Sequence, residues 1–290
     1  MADLTAFSLA ACRRGGDADL TFDFVRDLSE DEAAKLGAAL GRLTRFSADQ
    51  SLYIITELNW AELENALSQY QLNYHKFATS YANVESMLAD VARHILNYLT
   101  SFRMFLDYSE TALKREYGDQ SDEYRHFKQA TVEQYDGVFA YRFLSRFRNY
   151  AQHVGLPIDS MSRSDEVDGP GSPLQVFVSR ARLLANKSIW SAQLISEIEG
   201  LPDKVAIVHY LEQLRPCLDV LRRAYYQGRI GVLRTAAQEL SSVIDEVARA
   251  VEGPHYAVFA RAVPHGHESG ATTLQLTQIP YHALYAALSL

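Results

Sequence analysis

The sequence predicts a mainly α-helical protein: a helical bundle built on a hairpin of long helices, with a small antiparallel β-sheet or hairpin. Apolar residues recur at three- and four-residue steps over long stretches, most clearly from about Val84 to Tyr117. Near the C-terminus, two segments rich in β-branched and aromatic residues flank a loop, a pattern typical of a hairpin. Strands and helices do not alternate along the chain, so no parallel α/β sheet is expected.

Composition limits the class of protein and its partners. Of the 290 residues, 48% are hydrophobic and 22% are charged, which is ordinary for a globular domain. The net charge of −8 argues against a broad surface that coats nucleic acid, and we expect no DNA partner. The only cysteines, Cys12 and Cys217, cannot form a disulfide framework. No apolar stretch reaches the length of a membrane span, so we expect a cytoplasmic protein without a membrane partner.

The first predicted helix begins at Ser29, where Ser29 and Glu32 form a capping box. Leu36, Leu40 and Leu43 follow at helical spacing. The segment Ser51–Thr56 is β-branched and aromatic and is predicted to be a short strand. The helical pattern resumes at Trp60.

The predicted hairpin consists of the helix from about Val84 to Tyr117 and a second helix that begins near Asp122. Gly118 is a suitable C-terminal cap for the first helix. The second helix continues to His153 and is stopped by Gly155 and Pro157. Two long helices joined by so short a turn are expected to pack antiparallel.

The remaining elements are predicted in chain order. They are a loop over Met161–Pro173, a strand over Leu174–Leu184, helices over Ser191–Glu199, Asp203–Tyr226 (bent or interrupted at Pro216) and Arg229–Val251, and strands over Tyr256–Val263 and Thr272–Ile279. We expect one compact domain over 1–290. Within it, 1–84 holds N-terminal helices and a short strand, 85–252 a helical core, and 253–290 the terminal β-hairpin.

The run Arg148-Asn149-Tyr150-Ala151-Gln152-His153 ends the second helix of the hairpin and carries the most reactive set of side chains in the sequence. Asn149 and His153 are four residues apart and share one helix face. Arg148 can offset negative charge on a phosphate, and His153 can move a proton at neutral pH. This set suits metal-independent cleavage of RNA through attack by the 2′-hydroxyl, with Arg148, Asn149 and His153 as catalytic residues. We therefore predict no cofactor.

Three neighbouring side chains are predicted to bind the RNA. Arg142 and Arg146 form a local positive cluster within an acidic protein. Tyr150 is a candidate for stacking on a base, a contact that single-strand-binding proteins use without sequence preference.

The motif resembles that of the HEPN superfamily, whose members are helical bundles with an arginine, a polar residue and a histidine at this spacing. The resemblance implies a ribonuclease that acts as a homodimer, with two motifs facing one composite cleft, in bacterial defence or stress response. It implies catalytic roles for Arg148 and His153, with Asn149 as the polar companion.

Two alternatives stay open. Arg148 and His153 can instead cap the end of their helix by interacting with its carbonyls, and the protein is then a non-catalytic helical scaffold for protein interaction. Separately, the loop His265-Gly266-His267-Glu268 offers two imidazoles and a carboxylate to a metal ion, although a polar hairpin loop explains it more simply.

Overall fold

The protein is mainly α-helical with small antiparallel sheets, which confirms the predicted fold class. The structure is a computed structural model and describes residues 6–14, 20–155, 158–163, 174–264 and 272–290. In chain order the elements are β1 (Ser8–Arg14), β2 (Leu20–Asp27), α1 (Glu30–Leu72), α2 (Tyr74–Phe77), α3 (Tyr81–Tyr117), α4 (Asp122–Gly137), α5 (Phe139–His153), β3 (Ile158–Arg163), β4 (Leu174–Ser179), α6 (Arg180–Ala185), a 3-10 turn (Lys187–Ile189), α7 (Ala192–Glu199), β5 (Lys204–Ala206), α8 (Ile207–Gln227), α9 (Ile230–Ala250), β6 (Tyr256–Pro264), β7 (Thr272–Gln278) and α10 (Tyr281–Leu288).

These elements divide into two units, one formed by Met1–Gln50 with Arg229–Leu290 and the other by Ser51–Gly228. Their bounds differ from the predicted segments 1–84, 85–252 and 253–290. The difference arises because α1 has residues in both units and because the N-terminal strand β1 pairs with the C-terminal strand β6.

The first unit contains a four-stranded antiparallel sheet in the order β2-β1-β6-β7. Leu9, Ala10 and Ala11 of β1 are all fully buried, so the centre of this strand is covered on both sheet faces. The helix α9 contacts β1 and β6, and α10 packs on α9. The predicted C-terminal hairpin is therefore present as β6 and β7. The strands β1 and β2 and the helix α10 were not predicted from the sequence.

The second unit is organised around α3 and α4, which form the predicted hairpin. Ser80 caps α3 by accepting a hydrogen bond from the Asn83 amide, and Ser121 caps α4 by accepting from the Tyr124 amide. Between the two helices, Gly118 has a φ of +91°, a backbone conformation that favours glycine. The helices α5 and α8 pack against this hairpin, and β3, β4 and β5 form a three-stranded sheet.

The strand predicted at Ser51–Thr56 is wrong, because these residues continue α1. The Thr56 hydroxyl donates a hydrogen bond to the Leu52 carbonyl one turn earlier, at 2.9 Å, so the helix satisfies it. The Tyr53 hydroxyl donates to Asp219 of α8 at 3.1 Å. Packing and hydrogen bonding thus override the weak β-propensity of the segment.

Four other predicted elements differ from the structure. The loop predicted over Met161–Pro173 begins inside a strand, because Met161–Arg163 belong to β3. The second helix of the hairpin is divided at Val138 into α4 and α5. The strand predicted over Leu174–Leu184 ends at Ser179, whose hydroxyl caps α6 by accepting from the Arg182 amide. Pro216 lies within the continuous helix α8, which begins at Ile207 after the short strand β5.

None of the helices in the described ranges combines the length and the apolar character that a membrane crossing requires.

In the described part of the first unit, a buried ion pair joins Arg229 Nη1 to Asp49 Oδ2 at 2.8 Å, with both side chains almost fully buried. We expect Asp49→Ala to lower the free energy of unfolding by about 3–5 kcal/mol, because it leaves a buried guanidinium without its carboxylate. Lys35→Ala, which breaks the pair between the exposed Lys35 and the partly buried Glu239, should cost less than about 1 kcal/mol. Urea denaturation of both variants measures the difference, and equal losses would contradict this account.

Candidate functional site

The helix α5 places the Arg148–His153 motif, and an aromatic face holds this helix in the second unit. Phe143 and Phe147 are completely buried. The Phe143 ring stacks on Trp190, with the ring centroids 5.8 Å apart and the planes at 22°. Burial of rings of this size is the main source of stability for such a helix. The helix is therefore anchored on one side, and its opposite side is available for polar residues.

Arg142 lies on the same stripe of α5 as Arg146 and Asn149, but its own contacts make it unavailable to a ligand. Its side chain is buried, and its guanidinium forms an ion pair with Glu197 of α7 at 2.5 Å. Its Nη1 also donates to the backbone carbonyls of Tyr135 and Asp136 at the end of α4. These bonds occupy the guanidinium, so Arg142 is a structural residue in this structure and is not available to bind RNA.

Tyr150 is buried as well, although the sequence suggested it as a stacking residue. Its ring stacks on Trp190 at 5.5 Å with the planes at 20°, and its hydroxyl donates to the Arg182 carbonyl at 2.9 Å. The Trp190 indole N–H in turn donates to the Leu183 carbonyl at 2.8 Å. The ring is covered by protein here and has no face free for a base.

An open cleft of about 690 Å³ lies between α3, α4 and α5. Its volume is within the range of about 300–1,000 Å³ that is usual for small-ligand sites. Arg146, Arg148 and Asn149 contribute to its wall from α5. Two catalytic candidates and one RNA-binding candidate therefore share one cleft.

Arg148 is half-buried in this cleft. Its Nη1 donates to the Asn149 side-chain oxygen at 3.4 Å, a long hydrogen bond. Its Nε is buried and has no hydrogen-bond partner in the part of the chain that the structure describes. A buried guanidinium nitrogen without a partner carries a free-energy cost.

Arg146 is exposed at the same cleft. Within the described ranges, neither Arg146 nor Arg148 forms an ion pair with a carboxylate. The other two cations of the cleft are paired, Arg103 with Asp107 at 2.7 Å and Lys128 with Glu110 at 3.2 Å. In the described ranges, the cations of the cleft without an ion-pair partner thus lie at its α5 wall, and the exposed carboxylate of Asp136 on α4 also lines the cleft.

Glu110 illustrates how tightly the opposite wall is held. Partial burial by itself would raise the pKa of the Glu110 carboxyl, but hydrogen bonds from Lys114 and Lys128 outweigh it and hold that pKa below its ordinary value. The Tyr124 hydroxyl also donates to this carboxylate at 3.2 Å. Glu110 is therefore a permanent anion at neutral pH, engaged with its own neighbours.

His153 is the last residue of α5 and is exposed to solvent. It follows Asn149 by one helical turn on the same face but is not among the residues that line the cleft. Among the described contacts, neither His153 nor Arg148 bonds to the terminal carbonyls of the helix. The capping role that the sequence left open therefore has no hydrogen bond to support it in the described part of the chain.

The helices α3 and α4 also contribute to the cleft, in particular through Arg103, Lys128 and Tyr135, which were not predicted from the sequence as site residues. Arg103 and Asp107 stand four residues apart on α3, a spacing that marks an exposed face of the helix. Nothing in the sequence indicated which face of α5 this pair would meet.

The described residues contain no group of three or more metal-ligating side chains. The loop His265–Glu268, the candidate metal loop, lies outside the described residues.

Comparison with protein-family models, with curated proteins and with solved structures finds no match to this chain.

The ion pair between Arg142 and Glu197 generates a pH-dependent prediction. The hydrogen bonds from Arg142 lower the pKa of Glu197 below its ordinary value of 4.5. A carboxyl whose pKa is lower in the folded state adds stability above its unfolded pKa and loses it as the pH falls through the folded pKa. Glu197→Gln should therefore cost about 1–3 kcal/mol of unfolding free energy at pH 7, and the difference from wild type should shrink in acid below pH 4.5. A difference that stays constant between pH 7 and strong acid would contradict the assignment.

Proposed function

We propose that this chain is a HEPN-like, metal-independent endoribonuclease that acts as a homodimer. The observation that carries the proposal is Arg148, a half-buried guanidinium on an open cleft whose Nε lacks a partner among the described residues. It stands on the helix that ends, five residues later, in the solvent-exposed His153. An anion-binding group and an imidazole at one helix end supply part of the set that phosphodiester cleavage without a metal requires.

The residues have separate tasks in this scheme. Arg148, assisted by Arg146, binds the non-bridging oxygens of one phosphodiester and offsets the charge that grows on them. Asn149 holds the Arg148 guanidinium through its side-chain oxygen and presents its amide N–H groups to the substrate. His153 transfers the proton.

The reaction is an internal transesterification. The ribose 2′-oxygen attacks phosphorus and loses its proton to a base, and the P–O bond to the 5′-oxygen breaks as that oxygen gains a proton from an acid. The products are a 2′,3′-cyclic phosphate and a 5′-hydroxyl, with no net redox change and no water consumed.

The proposed active site includes a second copy of the chain because one helix end supplies one imidazole, whereas the reaction needs both an acid and a base. His153 is exposed and lies beyond the residues that line its own cleft. A composite site can use the histidine of each copy in one of the two roles. The homodimer, the cytoplasmic location and a role in bacterial defence or stress response all rest on the resemblance to the HEPN superfamily.

A specific observation favours the second candidate, a non-catalytic scaffold for protein interaction. Two of the six candidate residues, Arg142 and Tyr150, make structural contacts in the interior. His153 is absent from the cleft wall. A binding protein that recognises an anionic partner through Arg146 and Arg148 would have the same geometry.

Cleavage of labelled single-stranded RNA in excess chelator separates the two candidates. We expect cleavage by the wild type, with His153→Ala slower by about 10²–10⁴-fold because acid–base assistance is lost. Arg148→Ala should be slower by about 10²–10³-fold because charge stabilisation is lost. The 2′,3′-cyclic phosphate end is identified by mass spectrometry.

The matched control is His75→Ala, which removes an exposed histidine on α2 and should cleave at the wild-type rate. Circular dichroism confirms that each variant is folded. Absence of cleavage by the wild type, or equal rates for wild type and His153→Ala, would support the non-catalytic scaffold and exclude the ribonuclease function.

A further inference from the structure

We infer that Tyr135 is the base-stacking residue of the cleft, so that the site binds one unstacked nucleotide of single-stranded RNA, with its phosphate on Arg146 and Arg148 and its base on the Tyr135 ring. This inference rests on the proposed RNA substrate and adds a binding residue to it. It also replaces the predicted stacking role of Tyr150.

Tyr135 lies where a base-stacking residue of this cleft would have to be. Tyr135 lies in the last turn of α4, which ends at Gly137, and it lines the cleft together with Arg146, Arg148 and Asn149. Its side chain is only partly buried. Tyr150, by contrast, has its ring against Trp190 inside the protein. Tyr135 is thus an aromatic ring that the same cleft does expose, whereas Tyr150 is not.

The Tyr135 ring is also held in place before a ligand binds. The Tyr135 carbonyl accepts a hydrogen bond from Arg142 Nη1, and the Arg142 guanidinium carbon lies 6.0 Å from the Tyr135 ring centroid. The rings of Tyr135 and the buried Tyr141 pack nearly perpendicular to each other, at a centroid distance of 6.5 Å and an angle of 87°. Both contacts are supplied by residues that are themselves immobilised in the interior. A ring held in this way loses little further freedom when a base stacks on it.

The distribution of charge in the cleft also favours a nucleotide. The cations on the α3 and α4 walls are paired with carboxylates, whereas Arg146 and Arg148 have no carboxylate partner in the described ranges. A ligand of this cleft should therefore combine an anionic group, for the α5 wall, with a flat aromatic group, for Tyr135. One nucleotide of RNA has this combination. A duplex does not offer it, because its bases already stack on one another.

Binding of two oligomers by fluorescence anisotropy tests the inference. The first is a single-stranded 2′-O-methyl oligonucleotide, which cannot be cleaved because its 2′-oxygen is blocked. The second is an oligomer of the same length with the same phosphates in which a tetrahydrofuran ring replaces each nucleoside. Base stacking on an aromatic side chain changes affinity by about 5- to 150-fold per base.

We expect Tyr135→Leu to weaken binding of the 2′-O-methyl oligonucleotide within that range and to leave binding of the base-free oligomer within about twofold. Tyr135→Phe keeps the ring and should bind both like the wild type. Tyr74→Leu, which removes a partly buried tyrosine of α2, is the matched control and should also bind like the wild type. Equal affinity of Tyr135→Leu and wild type for the 2′-O-methyl oligonucleotide would overturn the inference, and so would equal weakening on both oligomers.

If Tyr135→Leu does not fold, a second variant tests the inference. In Tyr135→Trp the new indole keeps an aromatic face, and its fluorescence should be quenched by the base-containing oligonucleotide but not by the base-free one. Quenching by neither, with binding retained, overturns the role of Tyr135. A failure of the proposed function gives a different result, because Arg148→Ala would then bind both oligomers with the affinity of the wild type.

Discussion

The buried guanidinium of Arg142 is the contact on which the candidate site depends. It joins the last carbonyls of α4, at Tyr135 and Asp136, to the Glu197 carboxylate of α7. Because Arg142 belongs to the first turn of α5, these bonds fix the break at Val138, where α4 ends and α5 begins. The rotation of α5 about its axis is then set, with Phe143 and Phe147 turned inward and Arg146, Arg148 and Asn149 turned toward the cleft. An arginine suits this task because its planar group donates to several acceptors at once.

This division of α5 explains why a strongly aromatic helix also carries exposed cations. The inward face is held by stacked rings, from Phe143 through Trp190 to Tyr150, and the Tyr150 hydroxyl fastens the last turn to the Arg182 carbonyl. The last turn is the part of a helix that frays most readily, since its carbonyls lack partners within the helix. Tyr150 therefore stabilises the segment that presents Arg148 and His153. A rigid support of this kind is what positioned charges require if they are to act without reorganising.

The sequence was informative where the partners of an interaction are close in the chain. The capping box is an example, since the Ser29 amide donates to Glu32 at 3.0 Å and the Glu32 amide donates back to the Ser29 hydroxyl at 3.3 Å. It was uninformative where partners are distant. The helical state of Ser51–Thr56 depends on packing against α8, and β1 depends on pairing with β6, in which Ala11 faces Ala257. The same limit affected the candidate site. Burial of Tyr150 depends on Trp190, forty residues further along the chain, and exposure of Tyr135 depends on how α4 meets α5.

The most direct test of the central claim is a crystal structure of the protein with a short single-stranded 2′-O-methyl oligonucleotide. We predict a phosphate in contact with the Arg148 guanidinium and a base stacked on the Tyr135 ring in the cleft between α3, α4 and α5. An oligonucleotide bound on another surface, with Arg148 still joined only to Asn149, would contradict the account.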